Sequence, residues 1–193
     1  MSSPAFRFDG LNPEAQRAAE RQAAAMVTNV AEETRAAIRA LIARSIREGI
    51  PVYDAARVIR GMVGMTTQQA IAAAGYRVDL INSGLSLERV NALVDRYVEK
   101  KIRERAESIA RFEIMDALNT GSLESWRQAR EEGLLGDGAT KTAIVTPDER
   151  LCPVCAAVDG QTVPLDKPFQ TMNGAFMMPP FHVRCRCTAA VNP

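Results

Sequence analysis

The sequence predicts a mainly α-helical protein that ends in a small α+β module, in which long helices lead into a β-hairpin knot stapled by cysteine and histidine side chains. Three observations carry this prediction. Long alanine-rich stretches repeat their apolar residues every three or four positions. After Gly133 the composition changes to glycine, proline and β-branched residues. All four cysteines and the sole histidine then fall between Cys152 and Cys187.

The elements follow in order. "NPEAQ" opens a helix, with Asn12 as cap and Pro13 at the first helical position. Nothing breaks it before Glu48. Val27, Val30, Ile38, Leu41, Ile42 and Ile46 share one stripe. A rod of this kind cannot bury itself, and the short helices that follow are expected to be too small to cover it. Gly49 and Pro51 end it. "VYDAARVIRGM" is a short helix. "MTTQQAIAAAGYRV" is another, with Thr66 and Gln69 spaced as a capping box. After the turn "NSGLS", Ser86 caps a second long helix. Its stripe is Val90, Leu93, Val94, Tyr97, Ile102, Ile109, Phe112 and Leu118. "SLESWRQAREEG" reads as a separate last helix ended by Gly133, with Trp126 as an anchor between helix and knot. "TAIVT" is the first strand-like run beyond it. The expected division is therefore 1–49 (a docking and assembly arm), 50–136 (a helical domain) and 137–193 (the cysteine/histidine module).

That last segment is too small to fold on its own core without a staple. Its pattern is Cys-x2-Cys at Cys152 and Cys155, then His182, Cys185 and Cys187. A Cys-x2-Cys knuckle bends the chain so that two thiolates meet one tetrahedral ion, and a second pair closes the site. Five candidate ligands stand against four positions. Four thiolates, or three thiolates with the imidazole, both satisfy a structural zinc ion. Cys152, Cys155 and Cys187 are expected in either case, Cys185 is preferred to His182 as the fourth, and His182 then braces the loop by a hydrogen bond. Reduced thiols or disulfides in a compact knot are a second reading. A catalytic cysteine paired with His182 is a third, and a poor one: such chemistry needs one activated thiol and an orienting acid.

Bulk properties exclude other classes. Net charge is +1, from 24 basic and 23 acidic residues, so no global basic field coats nucleic acid. The alternating charges of "EKKIRERAESIAR" read as a solvated, salt-bridged face. Lys100, Lys101, Arg103 and Arg105 then hold DNA weakly at most, and no nucleic-acid-binding residue is assigned. No apolar run approaches the ~20 residues that span a bilayer. The start lacks the regions of a signal peptide, so a soluble, cytosol-made protein with reduced thiols is expected.

The block "TPDERLCPVCAAVDGQTVPLDKPF", followed by "PPFHVRCRCT", resembles the C-terminal module of the phage Mu protein F-like minor head proteins. The resemblance rests on Asp148, Glu149, Arg150, Cys152, Cys155, Asp159, Gly160, Val163, Pro164, Leu165, Pro179, Pro180, His182, Cys185, Arg186 and Cys187. Upstream, "RAESIARFE" matches at Arg111 and Glu113, with Phe112 where the family has threonine. The resemblance runs from about residue 50 to 190 and leaves the first long helix outside. It implies a minor capsid protein of tailed phages that acts in head morphogenesis, without enzymatic activity. The implied location is the portal vertex or head interior of the virion, reached from the host cytoplasm during assembly. Implied partners are the portal protein, major capsid or scaffold proteins, in multiple copies per particle, with weak contact to genomic DNA and none to membrane. The competing class is a zinc-stapled DNA-binding module in genome packaging or ejection.

Overall fold

The computed structural model describes Glu14 and residues 32–193. The expected helix start at Pro13 and the stripe positions Val27 and Val30 lie outside the described residues. Four helices come first: α1 (Glu32–Glu48), α2 (Val52–Arg60), α3 (Thr67–Asn82) and α4 (Leu87–Glu131). The module follows as β1 (Thr140–Ile144), a one-turn helix α5 (Pro153–Ala156), β2 (Thr162–Pro164), β3 (Phe169–Thr171), β4 (Gly174–Phe176) and β5 (Thr188–Asn192).

α1 ends where its sequence says it should. Gly49 takes φ +65°, and the Ile50 N–H reaches back to the Ser45 carbonyl at 2.9 Å. This is the left-handed stop that glycine provides without steric cost. α3 opens on the expected capping box. The Gln69 N–H donates to Thr66 Oγ1 at 3.2 Å, and the Thr66 N–H donates to Gln69 Oε1 at 2.9 Å. Two of the helix's orphan donors are thereby satisfied.

The short helices after α1 are expected to be too small to cover its stripe; among the described residues, α2 and the long helix α4 cover it together. Ile38 and Ile42 are fully buried, packed with Ala55, Ala56 and Ile59 of α2 and with Ala106, Ile109 and Ala110 of α4. Part of the cover comes from α4, a helix remote in sequence. Small residues on α2 and α4 let the helix backbones approach.

A correction concerns α4. The two helices expected between Ser86 and Gly133 are one helix of 45 residues, about 68 Å at ~1.5 Å per residue. Thr120-Gly121-Ser122 does not interrupt it. Glycine costs a helix interior about 1 kcal/mol relative to alanine. Here Gly121 is buried between two packed regions, Ile114 and Ala117 on one side and Leu123 and Trp126 on the other. Packing outweighs the local cost. The helix stops at Gly133, with φ +73° and the Leu134 N–H on the Ala129 carbonyl at 2.8 Å.

β1 is the middle strand of an antiparallel sheet of order β2-β1-β5, and β3 and β4 form a separate hairpin. The module's core runs from Ala143 and Val158 through Leu165, Phe169 and Phe181 to Leu123, Trp126 and Ala129 of α4. Trp126 is thus the anchor expected between helix and knot. Phe181 meets Phe169 and Phe176 edge-on, with ring centres 5.9 Å apart in each pair. Polar contacts complete the docking. Asp166 accepts from Arg127 Nε at 2.9 Å and Arg130 at 2.7 Å. Thr188 donates to Asn119 Oδ1 at 2.8 Å. Arg184 Nε donates to Ser108 Oγ at 3.2 Å.

Strand alternation turns Lys141 inward, opposite Val163 and Val191. Its Nζ donates to the Leu165 carbonyl at 2.5 Å and lies 5.5 Å from the Phe169 ring centre. Burial, with Arg127 adding, pushes its pKa from 10.5 down to about 8. The folded state therefore sheds this proton at lower pH than the unfolded chain. The group's contribution is unfavourable below pH ~8 and improves as pH rises toward ~10, by at most about 1.4 kcal/mol per unit. Urea unfolding across that window should show a steeper gain for the wild type than for Lys141→Met. Equal slopes would contradict the placement of this charge.

Candidate metal centre

The site begins with a single turn of helix. Cys152 caps α5, and its Sγ accepts the Cys155 N–H at 3.4 Å. Pro153 occupies the first helical position, where no N–H is needed and its fixed φ suits the turn. The turn places both sulfurs on one side of the chain. Cys155 is buried and Cys152 half-buried.

The second segment of the site enters after Pro179-Pro180, joined by a cis peptide. A tight turn follows, closed by the Cys185 N–H on the His182 carbonyl at 3.1 Å. Arg184, at φ +64°, carries the left-handed step of this turn and is held there by Ser108 on α4. The turn brings both His182 and Cys185 within reach of Cys155.

His182 is oriented by its own backbone neighbourhood. Nδ1 lies 2.7 Å from the Val183 carbonyl oxygen. A carbonyl only accepts, so Nδ1 carries the proton, and Nε2 of the neutral ring is left with a lone pair. Nε2 sits 3.1 Å from Cys152 Sγ and 3.0 Å from Cys155 Sγ. Cys155 Sγ is also 3.7 Å from Cys185 Sγ. The five predicted residues come together as two overlapping triads, Cys152–Cys155–His182 and Cys155–Cys185–Cys187, in each of which all ligand atoms lie within 4.8 Å. Cys155 belongs to both.

One of these distances already suits a tetrahedral ion, while the two nitrogen–sulfur contacts are shorter than the ~3.5 Å that such ligands of one zinc keep. At a Zn–S bond of ~2.3 Å, sulfur ligands stand about 3.8 Å apart, which the Cys155–Cys185 pair already meets. A metal-bound histidine typically donates its second N–H to a carbonyl or carboxylate, as His182 does. The electrostatics divide the thiols. Hydrogen bonding from Cys187 draws Cys185 down to about 5. Its bond to Cys185 raises Cys187 in turn. Burial pushes Cys155 up to about 12.

A clamp beside the cluster went unread as a pair in the sequence. Arg186, between Cys185 and Cys187, donates both terminal nitrogens to Asp148 at 2.5 and 2.6 Å. The Arg150 N–H adds a bond to Asp148 Oδ1 at 2.9 Å. Arg186 above all holds the Asp148 carboxyl far below the usual carboxylate range. The "RCRC" spacing was the available signal. Arginines alternate there with cysteines, so the Arg186 side chain leaves the cluster for its rim while its two neighbours turn inward. Asp148 is engaged at that rim, and His182 Nδ1 faces a backbone carbonyl, so Asp148 does not orient the imidazole.

Fold and site together define a helical protein whose long last helix carries a β module gathered around a cysteine/histidine cluster that could hold a metal ion. The phage Mu protein F like family matches residues 36–190, and the chain belongs to that family. It is therefore a protein of the phage head morphogenesis class, a structural family. The match starts inside α1, which corrects the expectation that the first helix lies outside the resemblance. No curated protein and no solved structure gives a significant match. Among the described residues no helix is long and apolar enough to cross a membrane.

Proposed function

We propose that this protein is a minor capsid component assembled at the portal vertex or in the head interior, and that a structural zinc ion locks its C-terminal module. The observation that carries the zinc reading is the histidine: its lone-pair nitrogen faces two sulfurs while its other nitrogen is tied to a carbonyl. The proposed ligands are Cys152, Cys155, His182 and Cys185. The Cys155–Cys185 spacing supports Cys185 as the fourth ligand, which an ion would draw in toward Cys152 and His182 of the other triad, while Cys187 remains as a hydrogen-bonded thiol. The histidine is thus proposed as a ligand and not a brace, and Cys187, expected among the ligands, is left outside the set. The ion supplies cross-links that the small module's own core cannot.

The proposed division of labour follows the chain. Residues 1–49 form the arm for docking, 50–136 the helical body, and 137–193 the metal-locked module. Partners are portal, major capsid or scaffold proteins. Purification of portal rings from assembling particles, with imaging at the vertex, tests the location; a protein found only outside heads would remove it.

The DNA-binding alternative has little charge to work with. Lys100 and Lys101 are drawn to Glu104 at 4.0 and 3.0 Å, and Arg105 donates to the Gly64 carbonyl at 2.7 Å. Of Lys100, Lys101, Arg103 and Arg105, only Arg103 is left without such a partner among the described residues. Affinity for duplex DNA should be weak and fall steeply between ~50 and ~200 mM salt. Tight binding that survives above physiological salt would favour the packaging role instead.

A further inference from the structure

One cleft between α2 and α4 gathers side chains that the fold leaves uncommitted. It is lined by Tyr53, Ala56, Arg57, Arg60, Arg103 and Glu107. Ala56 is buried, and its small side chain leaves room for the depression. Tyr53 is 63% exposed, and Arg57 sits 5.7 Å from its ring centre. Arg57 also has Asp54 at 3.7 Å. The Arg60, Arg103 and Glu107 side chains make no ion pair or hydrogen bond among the described residues.

Several arginines elsewhere on the surface find partners within the fold. Arg44 is paired with Glu48, Arg127 and Arg130 with Asp166, and Arg186 with Asp148. Arg77 donates to Asn91. Here, guanidinium groups from two helices face one depression beside an exposed aromatic ring.

We propose that this cleft docks a segment of another head protein, one that presents a carboxylate to Arg60 and Arg103 and an N–H or ammonium donor to Glu107. This rests on the head-assembly reading. The charges favour protein over nucleic acid. Arg57, Arg60 and Arg103 against Asp54 and Glu107 leave a net +1, whereas duplex DNA carries a charge every ~1.7 Å and needs an extended run of cations. Glu107 would repel a phosphate but suits a segment of mixed charge. Tyrosine and arginine are also the residues that concentrate binding energy at protein interfaces.

The test uses the full chain in cells assembling the phage. The double variant Arg60→Glu with Arg103→Glu should keep the wild-type helical circular dichroism and unfolding midpoint, because both side chains are exposed. Its incorporation into heads should fall at least ~10-fold. A photo-crosslinking amino acid in place of Tyr53 should label a head-protein peptide that contains Asp or Glu. Changing that acid to arginine should restore incorporation of the double variant. Wild-type incorporation of the double variant, or crosslinking at position 53 to DNA alone, would overturn the proposal. Absence of the wild-type chain from heads would overturn the head-assembly reading and this partner with it.

Discussion

Replacing Cys155 with alanine is expected to unfold the chain beyond Gly136 while α1 to α4 keep their helical signal. Cys155 is the one member common to both triads, so its loss opens the site on both sides. Structural zinc binding in small modules is worth about 10–16 kcal/mol, while a core of this size supplies only about 3–5 kcal/mol. Loss of the ion therefore moves the module from folded to unfolded. Far-UV circular dichroism should retain most helix. The emission of Trp126, the sole tryptophan, should shift to the red as its pocket opens. A strong chelator should reproduce both changes in the wild type. Elemental analysis should find one zinc per chain in protein purified without a metal-binding tag. The other substitutions sort the ligands. Cys152→Ala, His182→Ala and Cys185→Ala should each abolish stoichiometric metal. Cys187→Ala should keep the ion with affinity weakened about 10–100-fold, as for an outer-sphere hydrogen-bond partner. Metal-free protein with four reduced thiols and an intact fold would remove the zinc reading and leave the family assignment standing.

Trp126→Ala should cost about 3–5 kcal/mol, the usual range for deleting a buried large aromatic side chain. The indole is 2% exposed and lies in the core that joins α4 to the module, with Leu123, Ala129, Leu165 and Phe169. Its removal leaves a cavity at the seam. The ion pairs of Asp166 with Arg127 and Arg130 are half-exposed and cannot replace that packing. Circular dichroism in urea, read separately for helix and strand signals, should show the module melting first. Trp126→Phe should recover much of the loss. A cost below about 1 kcal/mol for the alanine variant would mean that the metal site alone holds the module on its helix.

Local signals were legible in the sequence wherever the deciding atoms lie a few residues apart. Thr66 and Gln69 make their capping box across three positions, and Gly133 stops α4 within one turn. Pro153 starts the knuckle turn between Cys152 and Cys155, so that half of the site could be read directly. The second half was legible only as an inventory. Nothing in "PPFHVRCRC" says that His182 Nδ1 will meet the Val183 carbonyl, and that bond is what turns Nε2 toward the sulfurs.

The sequence by itself determined the helical character of the described residues up to Gly133, the change of character after it, the small strand module and the five residues that gather in it. Composition, periodicity and caps are short-range properties of the chain, and they survive without knowledge of its path. Tertiary structure decided the rest. It ran α4 straight through Gly121, because packed cores on both sides outweigh one residue's propensity. It covered Ile38 and Ile42 with α4 residues remote in sequence, buried Lys141 beside Phe169, and paired Arg186 with Asp148 38 positions away. It set Arg184 on Ser108 across 76 positions. Such contacts depend on where separate elements come to lie, and the energies that place them are sums over whole interfaces that no single stretch of sequence carries.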